Sequence, residues 1–407
     1  MLTPIGSAGD VFPFLGLALR LRDRGHQVSM ITNAHFQPLI ESHGIPFDAF
    51  GTAEDYRKAI DNPEIFHPVK GFKTVVGFVS NQRLMLDLMR KQAGKDGVII
   101  AHTLSLAARL LQENGEYRVI SIVLAPAILR SVYQGPVMQG DTGITRLPRP
   151  LQRAVWWMAD RFLVDPALAA ILDDLRREMG LPIVRHFFDQ WLHSPLRTIG
   201  TFPDWFGPIQ PDWPASVRLS GFPLCDDVAH KAPDAQLLTL LEKDRPFVFT
   251  PGSGNIFGHA FFRAAAQACQ TLGRSALFLT AHPQQLPATL PPRIHYRDFA
   301  PLSQILHLCS GLAHHGGIGT TAAAIAAGIP QIIMPLSHDQ PDNAARVVNL
   351  KLGGRLHPKQ FTATRLAQLM TQLDGDAQTQ RNCAARAAQL AQTNGLAQSC
   401  DLIEAAT

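Results

Sequence analysis

The chain has 407 residues, 46% of them hydrophobic, with 37 Lys and Arg against 33 Asp and Glu. That much apolar material excludes a disordered chain and supports two or three domains. A net charge of +4 without any Lys/Arg run leaves no nucleic-acid footprint, while it suits an anionic small substrate or a membrane surface.

Five scattered cysteines without a C-x-x-C pair argue against a disulfide framework or a zinc site, and fit a reducing cytoplasm. The N-terminus shows no basic region followed by an apolar run, so no signal peptide is read there. Residues 299–338 lack Asp, Glu, Lys and Arg, but Gly, Pro and His break them into short buried elements rather than one spanning helix.

Residues 1–5 read as the end of a strand, clipped to four or five residues before the turn Gly6-Ser7-Ala8-Gly9. Residues 10–24 follow as a helix with Val11, Phe14, Leu15, Ala18 and Leu21 on one face, stopped by Gly25. A β-rich run at 26–33 and a helix at 35–43 complete a β-α-β-α series, the mark of a parallel sheet covered by helices. The alternation resumes with a strand at 98–101, a helix at 103–114 and a strand at 118–124. Residues 125–195 are irregular, and 202–224 are dense in Pro and Trp. The reading is a first domain over 1–224, a polar linker at 225–235 and a second domain over 236–407, with the last helix free to pack back on the first domain. The second domain predicts strands at 247–250, 276–280, 294–299, 311–314 and 331–334, with helices near 258–272, 302–308, 320–327, 339–350, 363–373 and 379–393. Two doubly wound α/β halves imply a cleft into which the carboxyl ends of both sets of strands point their loops.

Three loops of the second half carry chemistry. The run His314-His315-Gly316-Gly317-Ile318-Gly319-Thr320-Thr321 ends a strand and opens an Ala-rich helix. Its glycines allow close backbone approach, and the helix N-terminus carries roughly +0.5 charge that favours an anion. His314 and Thr320 add donors; the plainer reading is a Gly turn with a capping Thr. Pro251-Gly252-Ser253-Gly254 repeats the strand, Gly/Ser turn and helix pattern and offers Ser253 and backbone N–H groups to a diphosphate. Asp339-Gln340, after a buried strand, supplies an acceptor and a mixed donor-acceptor for sugar hydroxyls, or Asp339 is simply an N-cap.

In the first half Asp10 follows the Gly turn, where a carboxylate could take a proton from an acceptor hydroxyl or could cap the helix. His102, just after a strand, could serve as base, orient Asp10 or be structural. Asp374-Gly375-Asp376 lies between two C-terminal helices and reads as a turn, so no metal is invoked. The first turn also lacks G-x-G-x-x-G, which removes an NAD role, and no cofactor is expected. Residues 146–163 mix Arg146, Arg149, Arg153 and Arg161 with Trp156, Trp157, Met158 and Phe162. Such a helix either lies on an anionic bilayer or packs its Trp face onto the domain.

Taken together, these loops resemble the family-1 glycosyltransferases of the GT-B fold over nearly the whole chain. Within that family the segments Ile5–Phe14, Gln190-Trp191-Leu192-His193-Ser194-Pro195, Gln210–Pro214 and Gly221–Leu224 are similar to the rhamnosyltransferases of rhamnolipid synthesis. The resemblance implies two Rossmann-like domains facing across a cleft and inverting, metal-independent hexosyl transfer. The implied donor is a dTDP- or UDP-linked sugar, dTDP-L-rhamnose first. The implied acceptor is a hydroxylated lipid such as a hydroxyalkanoyloxy-alkanoate. It assigns Asp10 as base and His314 to the diphosphate, with Gly252, Ser253, Gly316, Gly317, Gly319 and Thr320 around the phosphates. Phe299 and Pro301 would frame the base, Asp339 and Gln340 the sugar. Ser7, Phe12 and His102 are acceptor-side candidates. A UDP-glucosyltransferase acting on a sterol or polyketide and a sugar-nucleotide epimerase are the alternatives. The expected location is the cytoplasm, with the inner face of the plasma membrane as an option.

Overall fold

The computed structural model describes the chain except residues 68–69, 95, 139–142, 226–227, 229–231, 253–254 and 256–257 and the side chain of Gln190. The chain divides into two units, Met1–Pro223 with Gly395–Thr407, and Leu224–Asn394.

Among the described residues the first unit holds seven parallel strands: β1 (Leu2–Thr3), β2 (Met30–Thr32), β3 (Phe47–Ala49), β4 (Val98–His102), β5 (Arg118–Val123), β6 (Arg197–Gly200) and β7 (Val217–Leu219). Their order in the sheet is β3-β2-β1-β4-β5-β6-β7. The chain therefore winds outward from β1 to β3, then crosses back to place β4 on the other side of β1. The interior strands β4 and β5 read as mostly apolar runs rather than as an alternation, because helices cover both faces. The helix Ala8–Asp23 buries Val11, Phe14, Leu15, Ala18 and Leu21, the face its spacing predicts.

The second unit holds six described parallel strands: β8 (Phe247–Thr250), β9 (Ala276–Leu279), β10 (Ile294–Arg297), β11 (Gly311–His314), β12 (Gln331–Ile333) and β13 (Gly353–Arg355). Their order, β10-β9-β8-β11-β12-β13, repeats the winding of the first unit, with the reversal between β8 and β11. Its core is a group of packed aromatic rings; Phe249 and Phe262 lie 5.5 and 4.9 Å from Phe278, centroid to centroid.

Two stretches depart from the sequence reading. The strand expected at 26–33 shrinks to Met30–Thr32. The irregular stretch at 125–195 contains the helices Arg149–Ala159 and Asp165–Glu178, joined by a π turn at Asp160–Val164. The last helix, Gly395–Glu404, lies against the helix Ala8–Asp23 of the first unit. There Arg24 reaches Asp401 and Glu404, each at 2.7 Å, and the buried Ser399 hydroxyl donates to Ser220 Oγ at 2.7 Å.

Candidate functional site

In open parallel sheets, ligands collect beyond the carboxyl ends of the strands where the winding reverses. Each unit brings chemistry-bearing side chains to that point.

In the first unit the reversal lies between β1 and β4. The chain leaves β1, turns at Gly6 (φ +137°) and enters its first helix with Ser7 as N-cap. Asp10, the third helical residue, closes a capping box: the Ser7 backbone N–H and hydroxyl donate to its Oδ2 at 2.7 and 3.1 Å. A Cβ on residue 6 would run into that carboxylate, so glycine is needed there. The other oxygen, Oδ1, lies 3.8 Å from Nε2 of His102, the last residue of β4. The Leu104 backbone N–H donates to His102 Nδ1 at 3.3 Å, which leaves the ring proton on Nε2, facing the carboxylate. Burial holds the His102 imidazole below its ordinary pKa, and the Asp10 charge opposes this in part. Tyr56 is also near: burial first and the Asp10 charge second raise its phenol above the usual range, and its ring stacks on His35 at 4.2 Å. The cap therefore occupies one oxygen of Asp10, and the other faces His102. Ser7 is committed to Asp10, and Phe12 is half-buried.

In the second unit the reversal lies between β8 and β11, where His314 pairs with Thr250 in register. His314, the expected diphosphate contact, presents no open ring nitrogen here. As the last residue of β11 it is fully buried. The Gly316 backbone N–H donates to its Nδ1 at 3.1 Å, so its Nε2 proton goes to Gln331 Oε1 at 2.9 Å. Neither ring nitrogen is left for a ligand, and burial pushes its pKa down to about 3. The next residue, His315, lies just beyond the strand. Its Nδ1 is shielded and finds no partner among the described residues, and burial holds its pKa at about 4. The ring lies over Gly252 and beside Gly317: a Cβ on either would meet it at 2.5 Å. Gly252 (φ +94°) is thus needed both for its turn and for this close approach.

The helix Ile318–Ala326 starts at this point with Gly317 as an N-cap that offers no side-chain acceptor. Its first N–H groups remain open to an anion. Thr320 is half-buried and Gly319 exposed, whereas the Thr321 hydroxyl turns back to the Gly317 carbonyl at 3.0 Å. Asp339 is the N-cap of the helix Gln340–Asn349. Gln340 folds back: its Oε1 accepts from the Leu336 and Ser337 backbone N–H groups at 2.8 and 3.2 Å, which leaves only its amide nitrogen for a sugar. Asn343, overlooked in the sequence, ties these loops together. It is fully buried, and its Nδ2 donates to the Gly316 carbonyl at 2.9 Å and to Asp339 Oδ2 at 2.7 Å. Phe299, half-buried, and Pro301, buried, follow β10. Ser253 lies outside the described residues.

Two family models match the chain. Residues 1–134 match the glycosyltransferase family 28 N-terminal domain, and residues 275–400 the erythromycin biosynthesis protein CIII-like C-terminal domain. The chain is a glycosyltransferase of the GT-B fold. It is 26% identical over 388 residues to an O-mycaminosyltylonolide 6-deoxyallosyltransferase of Streptomyces fradiae, covering 88% of this chain and 85% of that protein. It is also 26% identical over 379 residues to a sterol 3-beta-glucosyltransferase of Leptosphaeria maculans, covering 86% of this chain and 25% of that much longer protein. Among solved structures, the glycotransferase of kitacinnamycin superposes with a TM-score of 0.74 at 18% identity, covering 100% and 98% of the two chains. The spinosyn rhamnosyltransferase SpnG complexed with thymidine diphosphate does so at 0.67 and 15%, covering 98% and 99%.

Proposed function

We propose that the enzyme is an inverting hexosyltransferase that uses a nucleoside-diphosphate sugar and a hydroxyl acceptor, with the second unit holding the donor and the first supplying the base. The observation that carries this reading is the helix N-terminus after β11, which has no side-chain cap, with His315 beside it, its Nδ1 without a partner among the described residues. As the bond from sugar C1 to the phosphate oxygen breaks, the leaving diphosphate gathers negative charge. The helix N–H groups and His315 stabilise that charge. Asp339, braced by Asn343, and the Gln340 amide hold sugar hydroxyls, while Phe299 and Pro301 frame the base. Asp10 Oδ1 takes the acceptor proton as the acceptor oxygen bonds to C1 from the opposite side. His102 faces that oxygen and orients it.

The preferred donor is a dTDP-linked 6-deoxyhexose, L-rhamnose first, in keeping with the motif resemblance and with the thymidine diphosphate named for SpnG. The preferred acceptor is a hydroxylated lipid such as a hydroxyalkanoyloxy-alkanoate. The test incubates the protein with a panel of dTDP- and UDP-sugars against hydroxy-fatty-acid dimers, macrolide aglycones and sterols, read by mass. Transfer from UDP-glucose to sterol alone would replace both choices. Interconversion of the sugar nucleotide without transfer would replace the reaction. Asp10→Asn is expected to keep nucleotide affinity and lose at least about 100-fold in turnover; a fully active variant would remove Asp10 as base.

A further inference from the structure

The helix Arg149–Ala159 and the π turn after it present a face that the transfer chemistry does not use. Residues 143–164 contain four arginines and one carboxylate. That carboxylate, Asp160, is fully buried, with the Arg130 guanidinium clamping both of its oxygens. Arg146, Arg149, Arg153 and Arg161 are all exposed. On the same segment Leu151, Trp157, Met158 and Phe162 are 53, 51, 46 and 71% exposed. Leu151, Met158 and Phe162 are seven and four residues apart, two turns and one, so they line a single stripe. Arg149 also lies over the ring of Tyr133, itself exposed, at 4.2 Å. A helix that only packs on its domain would bury its aromatic residues. Trp156 is half-buried, with the Arg130 guanidinium 5.1 Å from its ring centre, while Trp157 turns outward.

An exposed apolar stripe, with Arg161 next to it, Arg149 and Arg153 on the other side of the helix and the local acid withdrawn into the interior, matches the chemistry of an amphipathic helix at an anionic lipid surface. The same helix lines a cavity of about 450 Å³ through Arg153, Trp156 and Trp157. Among the described residues, Trp156 Nε1 is a buried polar atom there without a partner, as is Nδ1 of His193 on another wall. No helix among the described residues is long and apolar enough to cross a membrane, so attachment at a surface is the mode this face allows.

We propose that the helix Arg149–Ala159 and its π turn seat the protein on an anionic bilayer, next to a cavity able to receive a single amphiphile. The amphiphile rests on the lipid-acceptor reading above; the seating does not. Full-length protein is sedimented with phosphatidylglycerol-containing vesicles and with phosphatidylcholine vesicles, at low and high salt. Binding to the anionic vesicles alone, weakened by salt, is expected. Leu151→Ser with Phe162→Ser, and separately Arg149→Glu with Arg161→Glu, should each lower the bound fraction by about tenfold. Circular dichroism and dTDP binding should stay unchanged in both variants. Absence of vesicle binding by the parent protein, or equal binding by the variants, overturns the proposal. So does a concentration-dependent dimer that Phe162→Ser abolishes without any vesicle binding, because the face then belongs to a second copy. Transfer to a water-soluble acceptor, measured in parallel, tests the enzymatic reading independently of the membrane.

Discussion

His314 and His315 are neighbours with opposite fates. His314 still belongs to β11, so its ring lies within the layers of the fold and becomes a brace between the Gly316 backbone and Gln331. His315 is the first residue past the strand, where side chains meet the ligand end of the sheet. His314→Ala should cost about 3 kcal/mol of stability, from the space it leaves and the partners it orphans. His315→Ala should leave the melting temperature nearly unchanged and weaken dTDP binding at least about tenfold. Calorimetric melting and titration of both variants check this, and the reverse pattern would return the ligand role to His314. The sequence shows two histidines in front of two glycines. It cannot show on which of them the strand ends, because a one-residue boundary lies below the resolution of periodicity.

At the scale of elements, the segment 190–195 is legible as a motif, and the structure supplies its reason. Trp191 is bracketed by two guanidinium groups, Arg109 and Arg176, each 5.6 Å from the ring centre. Its indole N–H donates to Glu113 at 2.7 Å, and Arg176, fully buried, makes a two-pronged pair with the same carboxylate at 2.7 Å. Burial works against the Glu113 charge, yet Arg176 and Trp191 hold its pKa below the ordinary value. Glu113→Gln strands a buried guanidinium and should destabilise the first unit by about 3 kcal/mol in urea unfolding. A change within experimental error would show the network to be dispensable. The short strands β3, β6, β7 and β13 were not legible as elements. Each is three or four residues long, and β13 begins with two glycines, so its pairing comes from the neighbouring strand and not from β-propensity.

For the whole molecule, burial of histidines sets the response to acid. The pKa values of His193, His314 and His315 are held by burial at about 4, 3 and 4. Between those values and about 6.5 the unfolded chain binds protons that the native chain does not, so stability rises with pH there and is lost as acid is added. By pH 5 each buried ring should cost about 2 kcal/mol. His193 belongs to the first unit and the other two to the second, so urea midpoints of both units should fall between pH 7.5 and pH 5. A midpoint that stays level over that range would contradict the burial of these rings.

By itself, the sequence determined the doubly wound class, the Gly turns at the strand ends and the buried face of the first helix. Each of these is written in local order: apolar runs, helical spacing, a Gly turn at a strand end. Only the tertiary structure decided that Asp10 Oδ1 meets His102, that Asn343 joins the Gly316 and Asp339 loops, and that Gly395–Thr407 returns to the first unit. Those pairings span 92, 27 and some 370 residues of chain, and no local pattern reports which distant backbone will close on which.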